Sequence, residues 1–413
     1  MTEPTPFPRP LSRTSLRHYR PLLDAYGSGL RWLRASPAPR LLEAVPQRQG
    51  DDLNYSHSIP PRALKISVSV CFAALSCAAH AQSQVTLFGA VDLGVRTVHN
   101  DAGTTTGMYS GNNYTSRLGF RGEEDLGGGM KASFWLESTL TADTGTMPTQ
   151  FFDRRSTLSL SGPVGEVRLG RDYTPAFRGY ATAEVFDFAG AASMTTLYSG
   201  TASTVLNRAF KGKTSSNGRT NGSIAYFTPN TFGGFYLNAM ASNSGDGNAS
   251  GDFDYRGLRI GYNKGPLHVN AFAGSTDIKP AGDNYRIRGA AAAYKFSHAK
   301  VTAALVDMRY QDARQTNYTV GMIWPMGVHQ IKAAWHHINQ AGKAANGTPI
   351  NANDADMLAV GYVYSLSKRT ALYGTLAYLN NKGQASFTIS GAAPGAPAGS
   401  SSRGAEFGVR HLF

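Results

Sequence analysis

The chain has almost no cysteine. Its two thiols, Cys71 and Cys77, share one short apolar segment, so nothing after residue 77 can form a disulfide. A fold stapled by disulfides and a zinc site built from paired cysteines are both excluded. Charge is scarce too, at 16% of residues. Beyond residue 82 no apolar run approaches the ~20 residues a membrane-spanning helix needs, and no long stretch shows the 3.6-residue period of a helix. Residues 1–61 contain no lysine, and no methionine occurs between Met1 and Met108.

What is present is glycine, 46 residues of it, with aromatic residues at 11% and much serine, threonine, asparagine and tyrosine. Such a composition suits many strands joined by turns and argues against a helical or α/β enzyme.

The segment RALKISVSVCFAALSCAAHAQ reads as an export signal over 62–81. Arg62 and Lys65 form a positive flank, Ile66 to Ala79 is mainly apolar and small, and Ala79-His80-Ala81 fits a small-x-small cleavage site. A buried apolar strand or helix is the bland alternative. A lipid-modified Cys77 is disfavoured, because Ala74 stands where a larger aliphatic residue is wanted. Residues 1–61, rich in arginine and proline, precede this signal and are expected to be an over-extended, unstructured reading frame, with the true start near Leu64; an unusual leader is the alternative. Cleavage after Ala81 leaves 332 residues without cysteine, spanning 82–413. The whole-chain net charge of +13 then falls to +8, from 30 basic and 22 acidic residues. An exported protein rarely meets nucleic acid, so the placement of this excess matters more than its size.

From Gln84 onward the sequence alternates. In QVTLFGAVDLGV, Val85, Leu87, Val91, Leu93 and Val95 share one parity, and Thr86, Ala90 and Asp92 the other. SRLGFRG, RSTLSLSG, GSIAYFTPN and LAVGYVYSLS repeat the pattern, with one face apolar or aromatic and the other small, polar or charged. Soluble sandwiches also alternate, but three features point elsewhere. The strands are long, often ~10–14 residues, where soluble strands have ~5–6 and tilted membrane strands ~9–11. Tight turns at 124–129, 161–166, 228–234, 263–266, 296–300, 325–327 and 365–370 alternate with long polar loops at 99–112, 142–150, 174–217, 243–251, 341–352 and 383–400. Tyrosine and phenylalanine recur near strand ends, where a membrane interface favours them. The fold expected is all-β: a closed antiparallel transmembrane β-barrel of about 16 strands, because strands in lipid must close on themselves and so wide a barrel keeps an aqueous lumen. Expected strands include 84–98, 113–122 and 150–162.

Taken together, AQSQVTLFGAVDLGV, SRLGFRGEEDLGGGMKASFWLE, RRSTLSLSGPVGEVRLGRD, YFTPNTFGGF, SLSKRTALYGTLAYLNNK and GVRHLF resemble the general-diffusion porins of β-proteobacteria, in particular their anion-selective trimeric type. These stretches run from end to end of the expected mature chain. The resemblance implies an outer-membrane homotrimer that conducts small hydrophilic solutes and prefers anions. It implies no cofactor and no catalysis. Outer-membrane lipid and lipopolysaccharide, the outer-membrane assembly machinery and small anionic solutes are the partners it implies, and nucleic acid is not among them. The alternative is an outer-membrane barrel enzyme or adhesin that binds through its long loops.

In that family the third extracellular loop folds into the barrel and narrows it. The matching loop here is 174–217, read as a structureless connection carrying Glu184 and Asp187. A loop of that length needs a task; a floppy surface loop is the alternative. The family's wall arginines match Arg117 and Arg219, both of lumen parity. The third lies in FDRRSTL: the motif favours Arg154, whereas strict alternation against Leu158 and Leu160 favours Arg155, and a bulge would reconcile them. Arg168 also has lumen parity. Arginine suits the task, because its planar, permanently charged donors attract anions into a narrow passage. The competing reading is that these arginines pin the loop through Glu184 and Asp187.

The chain ends in GAEFGVRHLF. Phe407, Val409, His411 and Phe413 share one face, expected toward lipid, while Glu406 and Arg410 take the other. By resemblance the terminal phenylalanine is the signal read by the assembly machinery. Other motifs are weak. His336 and His337 are adjacent and so point to opposite faces of a strand, which argues against a metal site with His329. The glycine-rich EDLGGG has no helix behind it and reads as a turn.

Overall fold

Alternation dictates a sheet with one apolar face, and lipid or closure must cover both its edges and that face. A computed structural model of the chain, describing residues 84–199, 204–210, 218–229, 231–243 and 253–413, shows how this is done. The expected reading-frame extension 1–61 and export signal 62–81 lie outside the described residues.

The first strands are β1 (Gln84–Asn100), β2 (Gly103–Ser110), β3 (Arg117–Gly127), β4 (Met130–Thr139), β5 (Arg155–Gly162) and β6 (Gly165–Tyr173). After the long loop come β7 (Arg219–Phe227), β8 (Phe235–Ser242), β9 (Phe253–Lys264), β10 (Leu267–Ile278) and β11 (Asp283–Lys295). The last six are β12 (Lys300–Tyr310), β13 (Ala313–Met326), β14 (His329–Gly342), β15 (Ala355–Ser365), β16 (Thr370–Asn381) and β17 (Ser401–Leu412). From β3 to β17 each strand pairs antiparallel with the next, and β1 closes the ring by pairing with β17 on one edge and β3 on the other.

The 17 strands occupy 16 barrel positions. The near half of β1 pairs with β3 (Val85↔Gly122, Ala90↔Arg117), and its far half pairs with β2 (Leu93↔Ser110, Asn100↔Gly103). β2 and β3 thus share one edge of β1, parted by residues 111–116. The expected long loop at 99–112 is corrected here: it holds β2 and a tight turn. Buried Asp92 explains the break. Its carboxylate accepts backbone N–H groups of Asn112 (3.3 Å), Asn113 (3.0 Å) and Tyr114 (2.7 Å), and Tyr373 donates its hydroxyl to it. Those amides cannot then serve the ladder, so the chain leaves the sheet for one turn.

The expected strand at 150–162 is also shortened, starting only at Arg155. Asp153 accepts the Thr139 backbone N–H (2.7 Å) and hydroxyl (2.8 Å), capping the end of β4 instead of joining a ladder.

The outward face carries the leucine, valine and aromatic side chains, among them Leu158, Leu160, Leu358, Val360 and Tyr362, all exposed as a lipid-facing wall requires. The buried core lies inside the barrel, between its wall and the loop after β6. That loop is not structureless, as the sequence had suggested. It contains α1 (Pro175–Tyr180), a single 3-10 turn (Ala181–Ala183), α2 (Thr195–Ser199) and α3 (Val205–Phe210). Thr174 caps α1, its Oγ1 accepting the Phe177 N–H at 3.2 Å, with Pro175 at the first helical position. Tyr180, Met194, Tyr198 and Phe210 pack on Phe272, Tyr285 and Met308 of the inner wall. Val185, Phe186 and Leu197 pack on Ile338, Met357 and Leu379. Apolar patches on the inner wall of β9–β16 thus hold the loop inside the barrel, with polar side chains such as Thr302 and Gln315 bonding its backbone between them.

Candidate pore constriction

The opposite inner wall is polar. Five neighbouring positions each deliver one side chain at nearly the same height: Arg117 opens β3, Glu137 lies in β4, Arg154 precedes β5, Tyr173 ends β6 and Arg219 opens β7. Glu137 Oε1 accepts from Arg154 Nε at 2.6 Å and Arg117 Nη1 at 3.2 Å. Tyr173 Oη accepts from Arg154 Nη2 at 3.0 Å and Arg219 Nη2 at 2.7 Å. Arg117 lies over the Tyr114 ring at 4.2 Å, and Arg219 over the Tyr173 ring at 4.3 Å. One carboxylate and one phenol therefore hold three guanidiniums in fixed orientation, with fewer negative than positive charges in the set.

Facing them across a cavity of about 400 Å3 is the inserted loop, with Glu184, Asp187 and Phe188. Glu184 is turned into its own loop, accepting the N–H of Phe186 (2.6 Å) and Met194 (3.3 Å), and burial pushes its carboxyl up to about 7. Asp187 and Phe188 adopt left-handed backbone, φ 58° and 55°. Such conformations cost on the order of 1–3 kcal/mol each unless the surroundings impose them. Here Asp187 pairs with Lys332 of β14 at 3.2 Å, and Phe188 packs on Phe177, ring centroids 4.7 Å apart.

The structure separates the sequence-predicted arginines into two levels. Arg117, Arg154 and Arg219 meet at the first cavity. Arg155 and Arg168 line a second, of about 420 Å3, toward the short-turn end with Arg121 and Glu166. Both Arg154 and Arg155 face inward, and no bulge is involved: Arg155 obeys the strand alternation, while Arg154 lies just outside the strand, where alternation does not apply. Asp172 gathers the second level, contacting Arg168 (2.6 Å), Arg178 (2.8 Å) and Arg155 (3.8 Å).

Sequence reading missed Arg178, Arg259 and Lys332. Arg259 and Lys332 were legible by parity, standing opposite Leu258 and Ile260 and opposite Ile331 and Trp335. Arg178 was not, because it rides on a helix inside the loop. Phe407, Val409 and Phe413 are exposed on the outer face, as is His411, which contacts Thr370 Oγ1 at 2.9 Å. Phe413 exchanges two backbone hydrogen bonds with Gly89 of β1, at 3.0 and 3.1 Å. His336 points inward to Thr319, and His337 outward to Asp356. Among the described residues no three His, Cys, Asp or Glu groups gather as a metal site.

A ring of strands with a wet basic wall narrowed by an inserted loop is the geometry of a diffusion channel. The family model described as Gram-negative porin matches residues 67–384. The chain is a member of the Gram-negative porins. This porin is 36% identical over 366 residues to outer membrane porin protein 32 of Delftia acidovorans, covering 84% of this chain and 99% of that protein. It superposes on the anion-selective porin from Comamonas acidovorans with a TM-score of 0.69 and 33% identity, covering 80% of this chain and all of the other. Likeness to OmpF of Salmonella typhi, at 17% identity and a TM-score of 0.57, extends to the fold alone. The porin lies in the outer membrane and provides a passive path for small hydrophilic solutes.

Proposed function

We propose that this porin passes small anions in preference to cations, and that Arg117, Arg154 and Arg219 set the preference at the constriction formed with the loop bearing Glu184 and Asp187. The observation that carries the reading is the imbalance of that site. Of the three guanidiniums, Arg117 and Arg154 share Glu137 and Arg219 is held by the Tyr173 hydroxyl, while the loop carboxylates are engaged elsewhere: Glu184 with loop amides and Asp187 with Lys332. Arg155 and Arg168 extend the basic path below it. An anion passing the narrow point meets planar donors held by Glu137 and Tyr173, so little reorganisation is needed to stabilise it transiently. Binding stays weak because the guanidiniums keep their own partners, which conduction requires.

The channel is non-catalytic and works as a homotrimer, as the family resemblance implies. Phe407, Val409, His411 and Phe413 form the face by which the assembly machinery takes up the chain.

The test is ion selectivity in planar bilayers. At ~4 Å in water each guanidinium is worth on the order of 1 kcal/mol to a chloride, so R117Q and R219Q each lower the chloride-to-potassium permeability ratio roughly fivefold. An unchanged ratio in the double variant, with normal conductance, would assign these arginines to holding the loop.

A further inference from the structure

Charge accounts for the wall arginines of the constriction but not for the rings beside them. Tyr114, Tyr173, Phe177 and Phe188 line the same cavity of about 400 Å3, two from the wall side and two from the inserted loop. None of the four is fully buried, so each keeps ring surface toward the lumen. Phe177 stacks on Tyr173, with ring centroids 4.8 Å and planes 21° apart, and Phe188 lies against Phe177 at 4.7 Å. Phe177 and Phe188 pack only in part on the buried cluster that docks the loop. The rest of each ring stands in a wet passage, where exposed apolar surface is unfavourable. Phe188 is also one of three non-glycine residues with left-handed backbone among the described residues, with φ 55°. A bulky side chain in that region is a genuine outlier, and such outliers gather at ligand contacts. The turn sends Asp187 to Lys332 and Phe188 to the cavity.

Tyr173 joins the basic and aromatic halves of the site. Its hydroxyl accepts from Arg154 at 3.0 Å and Arg219 at 2.7 Å, while its ring carries Phe177. Guanidinium and phenyl surfaces are therefore separated by the length of a phenol, which is the reach of an acid whose carboxylate is bonded directly to its ring. An aliphatic acid uses only the guanidiniums, and a neutral aromatic only the rings. Aromatic walls with a few fixed polar groups, and a volume within the ~300–1,000 Å3 of small-molecule sites, suit a ligand of that shape. Inorganic anions gain nothing from the rings.

We propose that Phe177 and Phe188 form an aromatic subsite beside Arg117, Arg154 and Arg219, and that the constriction takes up single-ring aromatic carboxylates, of which benzoate is the simplest, in preference to aliphatic carboxylates of equal charge. The proposal rests on the reading that these arginines attract anions, and names the anions they hold best. Offset or edge-on contact of the ligand ring with Phe188 strengthens binding roughly fivefold, weak enough for the ligand to leave again.

The experiment records chloride current through single channels in planar bilayers while sodium benzoate, cyclohexanecarboxylate, acetate or the uncharged benzamide is added at fixed pH and ionic strength. In wild type, benzoate halves the current at a concentration roughly fivefold below that of acetate, with cyclohexanecarboxylate between them and no block by benzamide. F188L, which keeps an apolar side chain against the buried cluster, loses most of the benzoate preference, each value being read against the variant's own chloride current. F188Y keeps the ring and the preference, which separates an aromatic subsite from a disturbed loop. R117Q weakens block by benzoate and acetate together, so the ratio between them survives. Equal block by benzoate and acetate, in wild-type channels whose reversal potential favours chloride, overturns the aromatic subsite alone. A reversal potential favouring potassium overturns the anion reading beneath it. Equal block by cyclohexanecarboxylate and benzoate, or a full benzoate preference in F188L, also overturns the subsite.

Discussion

Two buried carboxylates show how single residues shape the pore. Glu184 is held by loop amides, and its carboxyl titrates at about 7 because burial disfavours its charge. It is therefore neutral on the acid side and adds a negative charge to the constriction on the alkaline side. Anion preference should be higher at pH 5.5 than at pH 8.5, with its step near 7, and Glu184→Gln should remove the step; a step that persists in the variant would belong to another group. The folded value lies above the unfolded 4.5, so protonation favours the docked loop. That stabilisation is complete below about 4.5 and is lost as pH rises through about 7. Asp92 acts through backbone. Asp92→Ala strands three amides and the Tyr373 hydroxyl, groups that each cost ~1–3 kcal/mol when buried and unpaired. The variant should melt several degrees lower and, with Tyr114 unfastened from Arg117, show altered conductance; an unchanged melting point and conductance would mean residues 111–116 hold their shape without Asp92.

At the scale of elements, polar contacts fasten the inserted loop to the wall along its length: the Asp187–Lys332 pair, hydrogen bonds from Asn270, Thr302 and Gln315 to Thr182, Ala183 and Leu197, and the contact of Gly190–Ala191 with Glu406. Glu406 forms a buried pair with Arg96 at 2.8 Å and also accepts the Ala191 N–H at 3.0 Å. Gly190 has φ 69°, and a Cβ there would lie 2.0 Å from the Asn112 carbonyl. Gly190→Val should therefore push the loop off the wall, costing ~1–3 kcal/mol of overpacking and more for the backbone strain. Its readout is a wider, noisier channel, and wild-type conductance with a wild-type melting point would contradict it. The strands were legible because period-two alternation survives wherever one face meets lipid, as Leu158, Leu358 and Phe407 show. The loop's helices were not, since five- and six-residue turns carry no period and depend on packing against Phe272, Tyr285 and Ile338. Arg117 and Arg219 were readable by parity; Arg154 was not, because Asp153 ends the ladder beside it. The β2 strand hid in a glycine- and threonine-rich stretch whose partner is the far half of β1.

For the whole molecule, closure is the governing constraint, since an open edge in lipid leaves a row of unpaired amides and carbonyls. β17 meets β1 over 11 residue pairs, and the Phe413 ring occupies the space where a Gly89 side chain would sit. Gly89→Leu should lower the yield of folded barrel in membranes while leaving the selectivity of inserted channels as it was. Removing Phe413 should act likewise, and normal insertion of both variants would show that this seam does not govern assembly. With the barrel closed, the lumen holds a basic wall facing an anchored loop, an asymmetry proposed to favour anions. The most direct measurement is the reversal potential of wild-type channels in a planar bilayer under a potassium chloride gradient. The expected potential has the sign set by chloride and weakens at high salt as the wall charges are screened; a potential of the sign set by potassium would contradict an anion-preferring constriction.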